Sequence, residues 1–103
     1  MFDKDYILDQ ANIRCQGTLV STLGIVFIDV GEYFLEAKME VTPNHHQPAG
    51  VLHGGATAAL AETVGSSAAA IFSKKENHIL RGVELSINHV RGISEGFVYA
   101  KAI

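Results

Sequence analysis

The chain has 103 residues, 48% of them hydrophobic and 18% charged, and a formal net charge of -3. One compact domain fits that length. The apolar share excludes a disordered chain, and the lack of a basic face or stripe excludes a broad nucleic-acid surface. A domain this short buries a modest fraction of its surface, so association with a second copy would help to stabilise it.

The first dozen residues suggest a short helix, with Tyr6, Ile7 and Ile13 at loose apolar spacing and Asp3 as its cap. Nothing in Met1-Phe-Asp-Lys-Asp-Tyr6 resembles the basic start and apolar run of a signal peptide, so a cytoplasmic protein is expected. Residues 14–23 are polar and read as a surface loop. They include Cys15, the single cysteine, which cannot form an internal disulfide and reads as a small buried or half-buried hydrophobe.

Ile25 to Val30 is rich in β-branched residues. Gly31-Glu32 follows, a pair suited to a two-residue hairpin turn. Tyr33, Leu35, Ala37, Met39 and Val41 then alternate with Phe34, Glu36, Lys38 and Glu40. A period of two predicts an antiparallel strand with one buried face, and therefore a hairpin from Ile25 to Val41. Both prolines of the chain, Pro43 and Pro48, fall in the next stretch, which reads as a loop.

Gly54 to about Phe72 is expected to be a helix. Its residues are small or apolar on almost every side, the pattern of a buried central helix against which a sheet approaches closely. Val51 to Phe72 is the most apolar stretch, yet Gly, Ala and Ser dominate it and it carries His53 and Glu62, which argues against a membrane span. Ser73 to Asn77 should end the helix. Val83 to Val90 alternates again and predicts a strand, Arg91 to Gly96 a turn or bulge, and Phe97 to Ile103 a further strand.

Glu62 is the residue out of place. A carboxylate within an Ala-rich buried helix is costly unless paired, neutralised or used. The plain alternative is a carboxylate facing solvent through a gap in the sheet. Ser66 lies one turn further along the same face, where the two could hold a water between them. His53-Gly54-Gly55 stands at the helix start, where backbone N–H groups are free and the helix dipole is positive. Glycine there lets a substrate carbonyl approach the backbone, the geometry that stabilises an oxyanion.

The spacing of these two features has a consequence. Gly54 and Glu62 are about 12 Å apart along a helix that rises ~1.5 Å per residue. An oxyanion donor and a catalytic carboxylate must both come within roughly 3 Å of one reacting centre. One straight helix cannot place both there, so the pattern predicts a site shared between two chains of a symmetric dimer.

His45, His46 and His53 are close in sequence, but no pair has helical ligand spacing and no cysteine accompanies them, so no metal is expected. Arg91 could meet a phosphate, although a surface arginine is the plainer reading.

The run Gln47-Pro-Ala-Gly-Val-Leu-His53-Gly54-Gly55-Ala56, followed by Ala61-Glu62-Thr63-Val64-Gly65-Ser66, resembles the bacterial hotdog thioesterases of the PaaI-like and 4-hydroxybenzoyl-CoA thioesterase type. Within these it is most similar to the 1,4-dihydroxy-2-naphthoyl-CoA thioesterase group, as is the strand Gly82-Val-Glu-Leu-Ser-Ile-Asn88-His89-Val90-Arg91. The resemblance runs from Gly24 to the C-terminus.

It implies an α+β hotdog fold: an antiparallel sheet wrapped around a long central helix, pairing into homodimers or dimers of dimers. It also implies hydrolysis of an acyl-CoA, in which the acyl group may be aromatic, to a free acid and CoA, without metal or bound cofactor. By the same resemblance Glu62 is nucleophile or general base, the Gly54 N–H polarises the thioester carbonyl, Gln47 and His53 orient the thioester or its leaving group, and Ser66 positions water. Gly82 and the stretch His89, Val90, Arg91, Gly92 would contact coenzyme A. Residues 1–103 then read as a single thioesterase domain lacking its last strands, since members of the family continue beyond the position of Ile103. A non-catalytic hotdog module binding acyl-CoA, or serving as a structural dimer, is the alternative. A hotdog dehydratase is less well supported, for want of an Asp–His pairing.

Overall fold

A computed structural model describes residues 3–73, 85–90 and 94–103. The chain opens with helix α1, Lys4–Cys15, capped by Asp3, whose Oδ1 accepts from the Tyr6 N–H at 3.0 Å. The stretch expected to be a loop is more regular than its polarity suggests. Helix α1 runs through Cys15, and a single turn, α2, follows at Leu19–Thr22.

Strands β1 (Ile25–Val30) and β2 (Leu35–Glu40) pair antiparallel, as the alternation predicts. The turn differs from expectation. Val30 pairs with Leu35, so residues 31–34 form the connection in place of a two-residue turn. It is closed by the Gly31 N–H donating to the Phe34 carbonyl at 2.9 Å. The Phe34 ring lies so close over Gly31 that a Cβ there would collide with it. Tyr33 consequently belongs to the connection and is 77% exposed, whereas Leu35, Ala37, Met39 and Val41 are buried as the alternation requires.

The register shifts between Phe27 and Asp29, leaving Ile28 as an extra residue on β1. Such a bulge resets which face a strand presents. It accounts for Ile25, Phe27 and Val30 all being buried although they break strict alternation.

After β2 comes a short 3-10 turn, Pro43–His45, and then helix α3, Gly54–Ser73, which begins where the glycine pair predicts. Strand β3 is Leu85–Val90 and β4 is Phe97–Ala102. The sheet order is β1-β2-β4-β3, with every neighbouring pair antiparallel. Helix α3 lies on β2, β4 and β3. Its Ala56, Leu60, Val64 and Ala68 recur every fourth residue and so form one stripe. That stripe packs against Leu35, Ala37, Met39, Val98, Ala100 and Ala102 to make the core.

The all-round burial expected of α3 is therefore not met within one chain. The sheet covers a single stripe, and Ala58, Glu62, Ser66 and Ala70 on the far side are exposed.

Helix α1 closes the outer border of β1. The Asn12 side chain donates from Nδ2 to the Phe27 carbonyl at 3.0 Å and accepts the Phe27 N–H at Oδ1 at 2.9 Å. Lys4 and Asp29 form an ion pair at 2.6 Å beside it. No helix among the described residues is long and apolar enough to cross a membrane.

Candidate active site

The loop between β2 and α3 is shaped by its own hydrogen bonds. Gln47 to Gly50 is a tight turn, with the Gln47 carbonyl accepting the Gly50 N–H at 2.9 Å and the Gln47 N–H donating to the Val51 carbonyl at 2.8 Å. Gly50 has φ 81, a left-handed conformation that side chains disfavour. The Gln47 side chain turns back on this loop, its Oε1 accepting the Ala49 N–H at 2.6 Å. One lone pair of the amide oxygen is thereby used, and the NH₂ group remains available to donate outward.

His45 anchors the loop from inside. It is 5% exposed, the only buried polar or charged residue among those described. Its Nδ1 accepts the Thr42 N–H at 3.0 Å and contacts Thr42 Oγ1 at 3.1 Å, while Nε2 donates to the Leu23 carbonyl at 2.6 Å. The two backbone partners leave one possible arrangement, a neutral ring protonated on Nε2. The His45 carbonyl in turn accepts the His53 N–H at 2.7 Å. Sequence reasoning noticed His45 only as a metal candidate. The signal for its actual role was the spacing Thr42-x-x-His45, a capping box with histidine in the usual Glu or Gln position.

His46 bridges to Leu52 through the backbone, and its Nε2 lies 2.8 Å from the Ser94 carbonyl. The three loop histidines thus have separate partners, and no cluster of metal-binding side chains occurs among the described residues.

At the head of α3, His53 is the residue before the first helical position, and its Nδ1 accepts the Gly55 N–H at 2.7 Å. The Gly54 N–H has no acceptor among the described residues, as expected for the first donor of a helix. Further along, the Ser66 hydroxyl donates to Glu62 Oε1 at 2.7 Å, which puts the two on one face as their spacing predicts. The contact is direct, so no water stands between them on that oxygen. Both side chains are exposed in the single chain, which leaves the Glu62 carboxylate open to a ligand or to a second subunit.

His89 and Val90 lie on β3, in register with Val98 and Phe97. Gly82, Arg91 and Gly92 lie outside the described residues. Cys15 is half-buried, and that burial pushes its thiol above the usual range, with only a partial offset from Arg14. A thiol held protonated is a poor nucleophile.

The thioesterase superfamily profile matches residues 49–103. A Pasteurella multocida protein named as an esterase is 43% identical over 102 residues, covering 99% of this chain and 73% of that protein. The proofreading thioesterase EntH of Cronobacter sakazakii is 45% identical over 91 residues, covering 88% of this chain and 66% of that enzyme. Among solved structures, thioesterase HI1161 of Haemophilus influenzae superposes with a TM-score of 0.71 at 36% identity, over 98% of this chain and 67% of that one. The chain belongs to the thioesterase superfamily, with the hotdog fold. It is a thioester hydrolase.

Proposed function

We propose that Glu62 is the catalytic carboxylate, that Ser66 and Glu62 together hold the attacking water, and that the site is completed by Gly54 of a second copy of the chain. The observation carrying this reading is the hydrogen bond from Ser66 Oγ to Glu62 Oε1, 2.7 Å, on the exposed face of α3. Oε2 of the carboxylate has no partner among the described residues, and the serine oxygen retains lone pairs to accept from water.

In the reaction, the water oxygen attacks the thioester carbonyl carbon as Glu62 takes one water proton. The oxyanion that forms accepts a hydrogen bond from the Gly54 N–H. The carbon–sulfur bond then breaks, and Glu62 returns the proton to the departing thiolate. The products are a carboxylic acid and free CoA. Gln47, through its NH₂ group, and His53 orient the thioester. Gly82 and the segment His89 to Gly92 take the coenzyme A portion.

Two chains are required because Gly54 and Glu62 stand about 12 Å apart on one helix at ~1.5 Å rise per residue. The exposure of Glu62 in the single chain agrees with a site that a second subunit closes. The acyl group is proposed to be aromatic, following the resemblance to 1,4-dihydroxy-2-naphthoyl-CoA thioesterases.

The test is release of free thiol from aromatic and aliphatic acyl-CoAs by wild type and Glu62→Gln. The expected result is turnover favouring aromatic substrates that nearly vanishes in the variant. Equal rates in the two proteins, or tight acyl-CoA binding without turnover in wild type, would overturn it.

A further inference from the structure

We infer that Gly55 is a positioning residue for this reaction: its N–H and its lack of a side chain hold His53 as the neutral Nε2–H tautomer, which donates a hydrogen bond to the thioester. The inference rests on the reading of His53 as a residue of the site.

The tautomer follows from the partners. The Gly55 N–H can only donate, and it lies 2.7 Å from His53 Nδ1, so Nδ1 carries the lone pair. A neutral imidazole has one N–H, which must then be on Nε2. His53 does here what Ser or Asn does at many helix starts, accepting from the second helical N–H with its side chain. Its backbone is fixed on both sides, the N–H to the His45 carbonyl at 2.7 Å and the C=O accepting the Ala56 N–H at 3.0 Å. The ring is exposed, and Nε2 meets no partner among the described residues, so this N–H is free for a substrate atom.

The two glycines of the pair therefore have separate tasks. A Cβ built on Gly54 meets nothing within 4 Å. One built on Gly55 comes within 2.8 Å of His53 Nδ1 and 2.9 Å of Cε1, closer than such atoms tolerate. A side chain at position 55 must displace the imidazole from this position and so disturbs the bond that selects its tautomer. The first glycine supplies a donor to the oxyanion; the second supplies the one that orients histidine. His53 then acts as a neutral donor beside the reacting carbonyl. It is not the source of the leaving-group proton, which Glu62 returns.

The test is nitrogen NMR on 15N-labelled protein, with long-range 1H–15N correlations of the five histidines and His53→Gln to assign the resonances. The expected wild-type signature is an unprotonated Nδ1 and a protonated Nε2 at a pH where the ring is neutral. Gly55→Ala should fold, since alanine suits a helix better than glycine. It should show averaged nitrogen shifts and lose about tenfold in kcat with little change in KM, as expected when an interaction of about 1.4 kcal/mol is made mainly in the transition state. An Nδ1–H tautomer in wild type, or an unchanged His53 spectrum in Gly55→Ala, would overturn the inference. If Gly55→Ala does not fold, the wild-type spectrum still decides the tautomer. Because the spectra need no substrate, failure of the acyl-CoA assay would be separable from failure of this proposal.

Discussion

The Ser66 hydroxyl donates its proton to Glu62 Oε1 across one turn of α3, at 2.7 Å. The bond fixes the carboxylate's rotamer and leaves its second oxygen for chemistry. Replacing Glu62 by Gln keeps the shape and removes the proposed base, and kcat should fall about 10²–10⁴-fold, the range for loss of a general base. Ser66→Ala removes one hydrogen bond worth ~1 kcal/mol and should cost kcat roughly five- to tenfold. Thiol-release kinetics on the two variants measure both effects.

The proposed two-chain site makes a sharper prediction. Gly54 is the first residue of α3, where proline is tolerated because no intrahelical partner exists for the N–H it lacks. Gly54→Pro should therefore fold yet be nearly inactive. Mixing Gly54→Pro with Glu62→Gln chains under conditions that allow exchange should restore activity, because one site of each mixed dimer is intact. Random exchange of a two-fold dimer predicts about a quarter of the wild-type rate. Two inactive parents giving an inactive mixture would place the site within one chain.

If water attacks directly, a single turnover in H₂¹⁸O with enzyme in excess should deliver the label to the product acid. Mass spectrometry of the peptide containing Glu62 should then find none. Label in the Glu62 carboxyl would mean that Glu62 itself attacks the thioester.

His45 should matter to stability more than its place in a loop suggests. His45→Ala leaves the Thr42 N–H and the Leu23 carbonyl without their partner in a part-buried setting. Each unsatisfied group costs about 1–3 kcal/mol. A loss of about 2–4 kcal/mol in urea denaturation is expected, along with weakened activity, because the backbone of the same residue holds the His53 N–H.

The ion pair on α1 gives a pH dependence with a definite sign. The hydrogen bond from Lys4 holds the Asp29 carboxyl below its usual range, and the bond to Asp29 in turn raises the Lys4 ammonium. A depressed carboxyl stabilises the fold above its unfolded value, about 3.9, and the gain is lost as pH falls through the lower folded value. A raised ammonium stabilises below its unfolded value, about 10.4, and the gain is lost as pH rises past the folded one. The difference in urea midpoint between wild type and Lys4→Met should therefore be flat from about pH 5 to 9, shrink at either extreme and diminish with salt.

The hairpin, the long helix and the final strand were readable because hydrophobic period reports directly on burial, as Leu35, Ala37 and Met39 show. The two-residue turn at Gly31-Glu32 was misread because the fit of the Phe34 ring over Gly31 is a tertiary contact that no turn preference encodes. Within one chain α3 is buried on one side only, for a related reason. Small residues permit close approach on every side, but only contacts show which side is used, and one chain uses the stripe of Leu60 and Val64. The pairing of Glu62 with Ser66 on one face of α3 was legible from their spacing on a helix. The binding of His53 to Gly55, and the burial of His45, depend on side-chain rotation and loop path, which sequence period does not constrain.

Asn12 has a consequence for how this sheet can grow. Its amide meets the Phe27 N–H and carbonyl as a neighbouring peptide would, a one-residue stand-in for a strand. An incoming strand therefore finds the ladder of β1 already interrupted at its middle, with α1 in the way. β3 has no strand beside it on its outer side among the described residues. Among the described residues the sheet is thus directional: sealed along β1 and without a neighbour along β3, it has room for another strand, from whatever source, beside β3.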